Sequence, residues 1–155
     1  MLVLETYAFR NNGPIPVRYT CDGENVSPSF SWRGAPAETK SFALLCEDPD
    51  APSGTFYHWA IWNIPGERTV LAENFKAGPA DRTIAEAING FGKRGYGGPC
   101  PPKVHGPHHY HFRLFALDVE RLPLEAKAAA RCEALARAVR TFVIASAELI
   151  GLFQR

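Results

Sequence analysis

The sequence predicts a mainly β domain with one late helix, and three observations predict it. Aromatic residues are frequent: ten Phe, five Tyr and three Trp in 155 residues, side chains that suit a pleated, half-buried surface. Three stretches, 41–47, 56–64 and 109–118, are apolar runs or alternating rows of strand length,. Only one stretch, Arg131 to Arg140, has a convincing helical period. There Cys132, Leu135, Ala136 and Val139 share a stripe, with Arg131, Glu133, Arg137 and Arg140 largely opposite,.

Taken in order, residues 2–9 alternate loosely and predict a first strand,. Residues 10–29 hold Gly13-Pro14-Ile15-Pro16 and Cys21-Asp22-Gly23-Glu24-Asn25, the composition of a long ordered loop,. Phe30-Ser31-Trp32 predicts a short strand that ends at Gly34-Ala35-Pro36. Ser41 to Glu47 is nearly all apolar, which fits a central strand buried on both faces,. Asp48-Pro49-Asp50-Ala51-Pro52 stops it, because two prolines forbid further pairing,. Phe56 to Ile64 is the next strand, closed by Pro65-Gly66. Residues 67–94 read mostly as loop, with a helical turn at 81–88 and a turn at Asn89-Gly90,. The segment Gly95 to Tyr110 is a glycine-, proline- and histidine-rich loop that runs into the strand 109–118. The late helix spans about 129–140, with a possible start anywhere in 125–130. The β-branched pair Val143-Ile144 and Gly151 turn the reading of 143–153 towards a final strand,.

Composition narrows the function. A length of 155 residues fits one domain, 1–155, able to bury a full core,. A formal net charge of +1 gives no bulk electrostatic support for nucleic-acid binding,. No apolar run is long enough to span a bilayer,. The N-terminus has no basic region followed by a long apolar stretch, so we read no signal peptide and expect a cytoplasmic protein,. Cys21, Cys46, Cys100 and Cys132 are widely spaced without a CxxC pair, and we expect reduced thiols rather than a disulfide framework or a zinc site,.

Period-two reading selects the polar residues that matter. Tyr110, Phe112, Leu114 and Ala116 share one face, with His108 preceding them in register,. His58 lies in the apolar row Phe56, His58, Ala60, Trp62, Ile64. A histidine in such a row must find a partner or face a cavity, because a buried unpaired polar group costs roughly 1–3 kcal/mol. Asp48 and Asp50, at the end of the buried run, are the candidate partners, and we expect Asp48 and His58 to stabilise each other's charged forms. His105, His109 and His111 are expected to be solvated bystanders. No HExxH helix or HxH on the inward face is present, so no metal or other cofactor is expected,. If these strand ends converge, imidazoles and a phenol hydroxyl can donate hydrogen bonds to an anion.

Asp48-Pro49-Asp50-Ala51-Pro52 resembles the DPDAP signature of the phosphatidylethanolamine-binding proteins, and Gly95 to Tyr110 resembles their GYGGPxPP…HxY signature. Tyr19-Thr20-Cys21-Asp22-Gly23, Ser27-Pro28 and Ala147 to Gly151 are similar to the bacterial and archaeal branch, often called Raf-kinase-inhibitor-like. The resemblance covers nearly the whole chain. It implies a large central antiparallel sheet packed by a smaller sheet, the helix alongside and a small anion pocket at one end. Carried over by motif position, that pocket takes Asp48, Asp50, His58, Pro102, His108 and Tyr110. It also implies phosphate or phosphoryl headgroups as ligands and, in this branch, a homodimer. The chain departs from the pattern at Val104, where family members commonly have glycine, and at Cys100, where eukaryotic members have it.

The sequence shows no nucleophile–base pair, so the first expectation is a non-enzymatic module that binds a phosphoryl-type anion and regulates a kinase or another enzyme. The alternatives are a hydrolase with an Asp/His acid–base site and, by the resemblance, a protease inhibitor.

Overall fold

The structure, a computed structural model, describes residues 1–124 and 130–155. Its strands are β1 (Val3–Glu5), β2 (Gly13–Pro14), β3 (Phe30–Arg33), β4 (Ser41–Asp48), β5 (Phe56–Pro65), β6 (Val70–Leu71), β7 (Ala85–Glu86), β8 (His108–Leu117) and β9 (Val143–Phe153), with a helix α1 (Cys132–Ala138) between the last two strands. A six-stranded sheet runs in the order β2-β9-β8-β4-β5-β7, and a three-stranded sheet in the order β1-β3-β6. Among the described strands, every pair is antiparallel except the two-residue β2–β9 pair.

The large sheet has a core on each face. On one face Leu44, Cys46, Trp59, Ile61, Phe112 and Leu114 pack against Leu4, Phe30, Trp32 and Leu71 of the small sheet. On the other face Ala43, Leu45, Ala60, Trp62 and Leu117 pack under Cys132, Leu135 and Val139 of the helical segment. Strand β4 lies between β5 and β8 and serves both cores, which explains its nearly unbroken apolar run,. Strand β9 contains Gly151 because a side chain there would collide with Ile15, whose Cγ1 lies 2.5 Å from where a Cβ would be.

Several expectations need correction. The first strand is only Val3–Glu5: Thr6 turns its hydroxyl to Ser29 O at 2.5 Å and accepts from Ala8 N, and Tyr7 is fully exposed. The helical turn expected at 81–88 is instead a 3-10 turn at Pro79–Asp81 followed by β7, which extends the sheet along β5. Helix α1 begins after Arg131 and tightens into a 3-10 turn at Val139–Thr141. The part of its expected start in 125–129 lies outside the described residues. Finally, Cys21 and Cys100 form a disulfide, across 79 residues of sequence, whereas Cys46 and Cys132 are free and buried.

Candidate functional site

Three strand ends meet at one end of the large sheet. Asp48 ends β4, His58 stands near the start of β5, and His108 and Tyr110 open β8. Antiparallel order makes this unavoidable: the C-terminal end of β4 lies between the N-terminal ends of its two neighbours,. The result is a cavity of about 110 Å³ lined by Asp48, His58, His108 and Tyr110, with Phe56, Phe91 and Pro102 among its walls. At roughly 30 Å³ per water, that is the room of three or four waters or one tetrahedral oxyanion. Asp48, His58, His108 and Tyr110 are all at most 3% exposed.

The two imidazoles are each held by Nδ1. His58 donates to the carbonyl of Gly97 at 2.7 Å, and a carbonyl can only accept, so the proton sits on Nδ1 and Nε2 is left over,. His108 donates to Asp48 Oδ2 at 2.6 Å. The other Asp48 oxygen accepts from Asp50 N at 2.8 Å,. The expected Asp48–His58 pair is therefore replaced by an Asp48–His108 pair. Burial holds the His58 pKa below the ordinary imidazole value, outweighing its hydrogen bond to the Gly97 carbonyl, the pull of the Asp48 charge and the backbone of Gly98,. Burial, and then the charge of Asp48, raise Tyr110 well above the usual phenol range. Its hydroxyl thus keeps its proton, yet it is buried with no hydrogen-bond partner among the described residues.

Of the six residues carried over by motif, five line the cavity and Asp50 does not. The Asp50 carboxylate accepts from both Nδ1 and the backbone N of His109, each at 2.7 Å. Burial pushes its pKa up, but the hydrogen bonds from His109 outweigh that and lower it. The histidines expected as bystanders all have partners. His109 holds Asp50, His111 donates to Glu148 at 3.0 Å, and His105 Nδ1 lies 2.7 Å from His108 Nε2. His105 therefore covers the one nitrogen of His108 that Asp48 leaves available.

The loop that walls the cavity is tied down from behind. Cys100 lines the cavity and its sulfur bonds to Cys21. Cys21 N donates to Pro99 O, Gly98 N donates to Asn25 Oδ1, and the Tyr96 hydroxyl donates to Tyr19 O. Gly98 permits this closeness, since a Cβ there would sit 2.2 Å from Tyr19 O,. By contrast, Val104 adopts a left-handed φ of 54° and is almost fully exposed. That conformation strains a β-branched residue. Arg155 joins the two parts: its Nε donates to Pro101 O at 2.8 Å, and its carbonyl accepts from Val104 N.

Phe91 and Arg155 were not singled out from the sequence. Phe91 packs on Phe56 and His58, with centroids at 4.8 and 5.6 Å. The turn signal at Asn89-Gly90 was the available hint, since an exposed phenylalanine follows it. Nothing marked Arg155. No cluster of three or more His, Cys, Asp or Glu suited to a metal ion occurs among the described residues, and no described helix is long and apolar enough to cross a membrane.

Comparison with known proteins follows the same lines. The family model described as phosphatidylethanolamine-binding protein matches residues 5–154. A UPF0098 protein of Methanothermobacter thermautotrophicus is 48% identical over 153 residues, 98% of each chain. The crystal structure of Escherichia coli YbcL, described as a new member of the mammalian PEBP family, superposes with a TM-score of 0.90 at 32% identity, covering 99% of this chain and 98% of YbcL. A PEBP homologue from Chlamydia trachomatis gives 0.87 at 34% identity, covering 99% of this chain and 97% of that one. With its two-sheet fold, its strand-end cavity and a match along nearly all its length, the chain belongs to the phosphatidylethanolamine-binding protein family.

Proposed function

We propose that the chain is a binding module for a phosphoryl group, free or carried on a headgroup or a modified residue. One observation carries this reading. The Tyr110 hydroxyl is a protonated donor, fully buried and unpartnered, in a cavity of oxyanion size that it shares with His58 and His108. Leaving such a donor unpaired costs roughly 1–3 kcal/mol, and an acceptor entering the cavity recovers it. Cys100, on the lining, is tied up in the disulfide and offers no thiolate nucleophile,. Regulation of a kinase or another enzyme would follow from capture of a phosphorylated group. Assembly as a homodimer, a cytoplasmic location and a single domain over 1–155 belong to the same proposal. The Cys21–Cys100 disulfide pulls against the location, since such bonds persist mainly in oxidising compartments,.

Titration with inorganic phosphate, followed by histidine ring NMR, tests the site. We expect the His58 and His108 resonances to move together and saturate, with no turnover of phosphoesters. Unmoved resonances at both rings would remove the anion site.

A further inference from the structure

The hydrogen-bonding groups on the two sides of the cavity are of opposite kind. Tyr110 offers an O–H with nowhere to donate. Facing the ring of Tyr110, with centroids 5.2 Å apart, is His58. Its proton is fixed on Nδ1 by Gly97 O, so Nε2 carries a lone pair,. Adding a second proton there would place an imidazolium among the rings of Phe56, Phe91 and Tyr110 at a site 3% exposed. Asp48 does not rescue that charge directly, because one of its oxygens is engaged by His108 and the other by Asp50 N. Burial accordingly keeps His58 neutral under conditions where a free imidazole begins to charge,.

A fully deprotonated oxyanion suits this arrangement poorly. One of its oxygens accepts from Tyr110, but another is set against the lone pair of His58. An oxyanion that carries its own proton suits both sides: an oxygen accepts from Tyr110 while a P–O–H donates to His58 Nε2. Inorganic phosphate and phosphate monoesters retain such a proton near neutrality, the monoesters in part, whereas sulfate retains none.

We propose that this pocket selects oxyanions that bring a proton with them, taking phosphate and singly protonated phosphate monoesters in preference to sulfate, with His58 Nε2 as the acceptor that discriminates. This inference rests on the phosphoryl-binding reading and adds the protonation state of the ligand to it. The same logic sets a pH dependence. Once His58 is protonated, its Nε2 becomes a donor and the objection to sulfate disappears. Other charged groups surround the cavity: Asp48 from β4, His108 from β8, His105 from the loop above it and Arg155 behind Pro101, with the Asp50–His109 pair on the exposed strand ends. These groups act on both anions alike, so the phosphate-to-sulfate ratio is the quantity that isolates His58.

The experiment is calorimetric titration of the intact protein with inorganic phosphate and with sulfate, at about pH 7 and again at about pH 5, across the range where imidazoles titrate. We expect phosphate to bind about tenfold more tightly near pH 7, one hydrogen bond's worth of discrimination, and the ratio to shrink as the pH falls below the ordinary imidazole range and His58 takes its second proton. His58→Gln, whose amide can donate as well as accept, is expected to bring the ratio near one at about pH 7. Equal binding of both anions near pH 7 would overturn the selectivity while leaving the anion site standing. A ratio that is large but indifferent to both pH and His58→Gln would overturn the role of His58. Binding of neither anion would overturn the selectivity and the phosphoryl-binding reading together.

Discussion

The cavity has two buried histidines whose Nδ1 atoms are anchored at almost the same distance, 2.7 Å for His58 and 2.6 Å for His108, but on different kinds of acceptor. His58 leans on a peptide carbonyl, a dipole, and its other nitrogen is left over. His108 leans on a full carboxylate, and its other nitrogen is covered by His105. The wall behind His58 is stapled by the Cys21–Cys100 disulfide and three hydrogen bonds between adjoining loops. The loop that brings His105 over His108 passes through a strained Val104 and a left-handed Gly106 at φ 86°. Two identical side chains thus become a fixed acceptor and a covered, charge-backed group. The difference comes from what their Nδ1 atoms face rather than from the residues themselves.

The comparison breaks most severely at Asp48. Asp48→Ala removes the acceptor of His108 and that of Asp50 N at once, and the side chains of Asp48 and His108 are at most 4% exposed. Leaving a buried imidazole donor without its acceptor is expected to destabilise the fold by roughly 1–3 kcal/mol, read by urea denaturation. The His108 ring resonances should shift strongly and those of His58 only slightly, because His58 keeps its carbonyl. Equal shifts at the two rings would show that they are not separately anchored.

Reducing the disulfide is the converse test, acting on the His58 side. The closed loop is long, and its loss is expected to cost about 2–4 kcal/mol of stability. Cys100 lies in the same loop as Gly97, so the His58 resonances should respond while His108, held by Asp48, stays nearly in place. A midpoint unchanged between oxidised and reduced protein would mean that the interloop hydrogen bonds alone hold the wall.

Why the two sides differ could be read only partly from the residues. The strands β4, β5 and β8 and the helix α1 were legible because a two-sided, alternating or helical burial imposes a period that survives in the sequence, whereas β9 showed only through the β-branched Val143-Ile144 and Gly151,. Parity also placed His108 and Tyr110 inside and His109 and His111 outside. It could not say that Asp50 and Glu148 wait on the outside to pair with them. His105 escaped because alternation has no meaning in a loop with residues at positive φ. The two-residue strands β2, β6 and β7 are too short to carry any period, and they exist through tertiary pairing. Cys21 and Cys100 have no local spacing that announces a bond, and the loops that bring them together are themselves positioned by the strand ends. Asp48 was misassigned to His58 for a related reason. Register places it beside both strands, and only the geometry of the loop carrying Gly97 supplies His58 with another acceptor.

The gentlest way to sharpen the comparison is to uncover His108. His105→Ala removes the ring that now meets His108 Nε2 and leaves the anchor on Asp48 intact. Any ligand that uses His108 Nε2 in the present protein must first displace His105, giving up a hydrogen bond of about 1 kcal/mol. The substitution is therefore expected to tighten phosphate binding by about fivefold while changing stability little, since His105 is exposed. Calorimetry on both proteins measures the first quantity and thermal unfolding the second. Weaker binding in His105→Ala would mean that His105 turns with the ligand and helps to hold it. The two sides of the pocket would then differ less than their resting geometry implies, each presenting an imidazole that engages the anion directly.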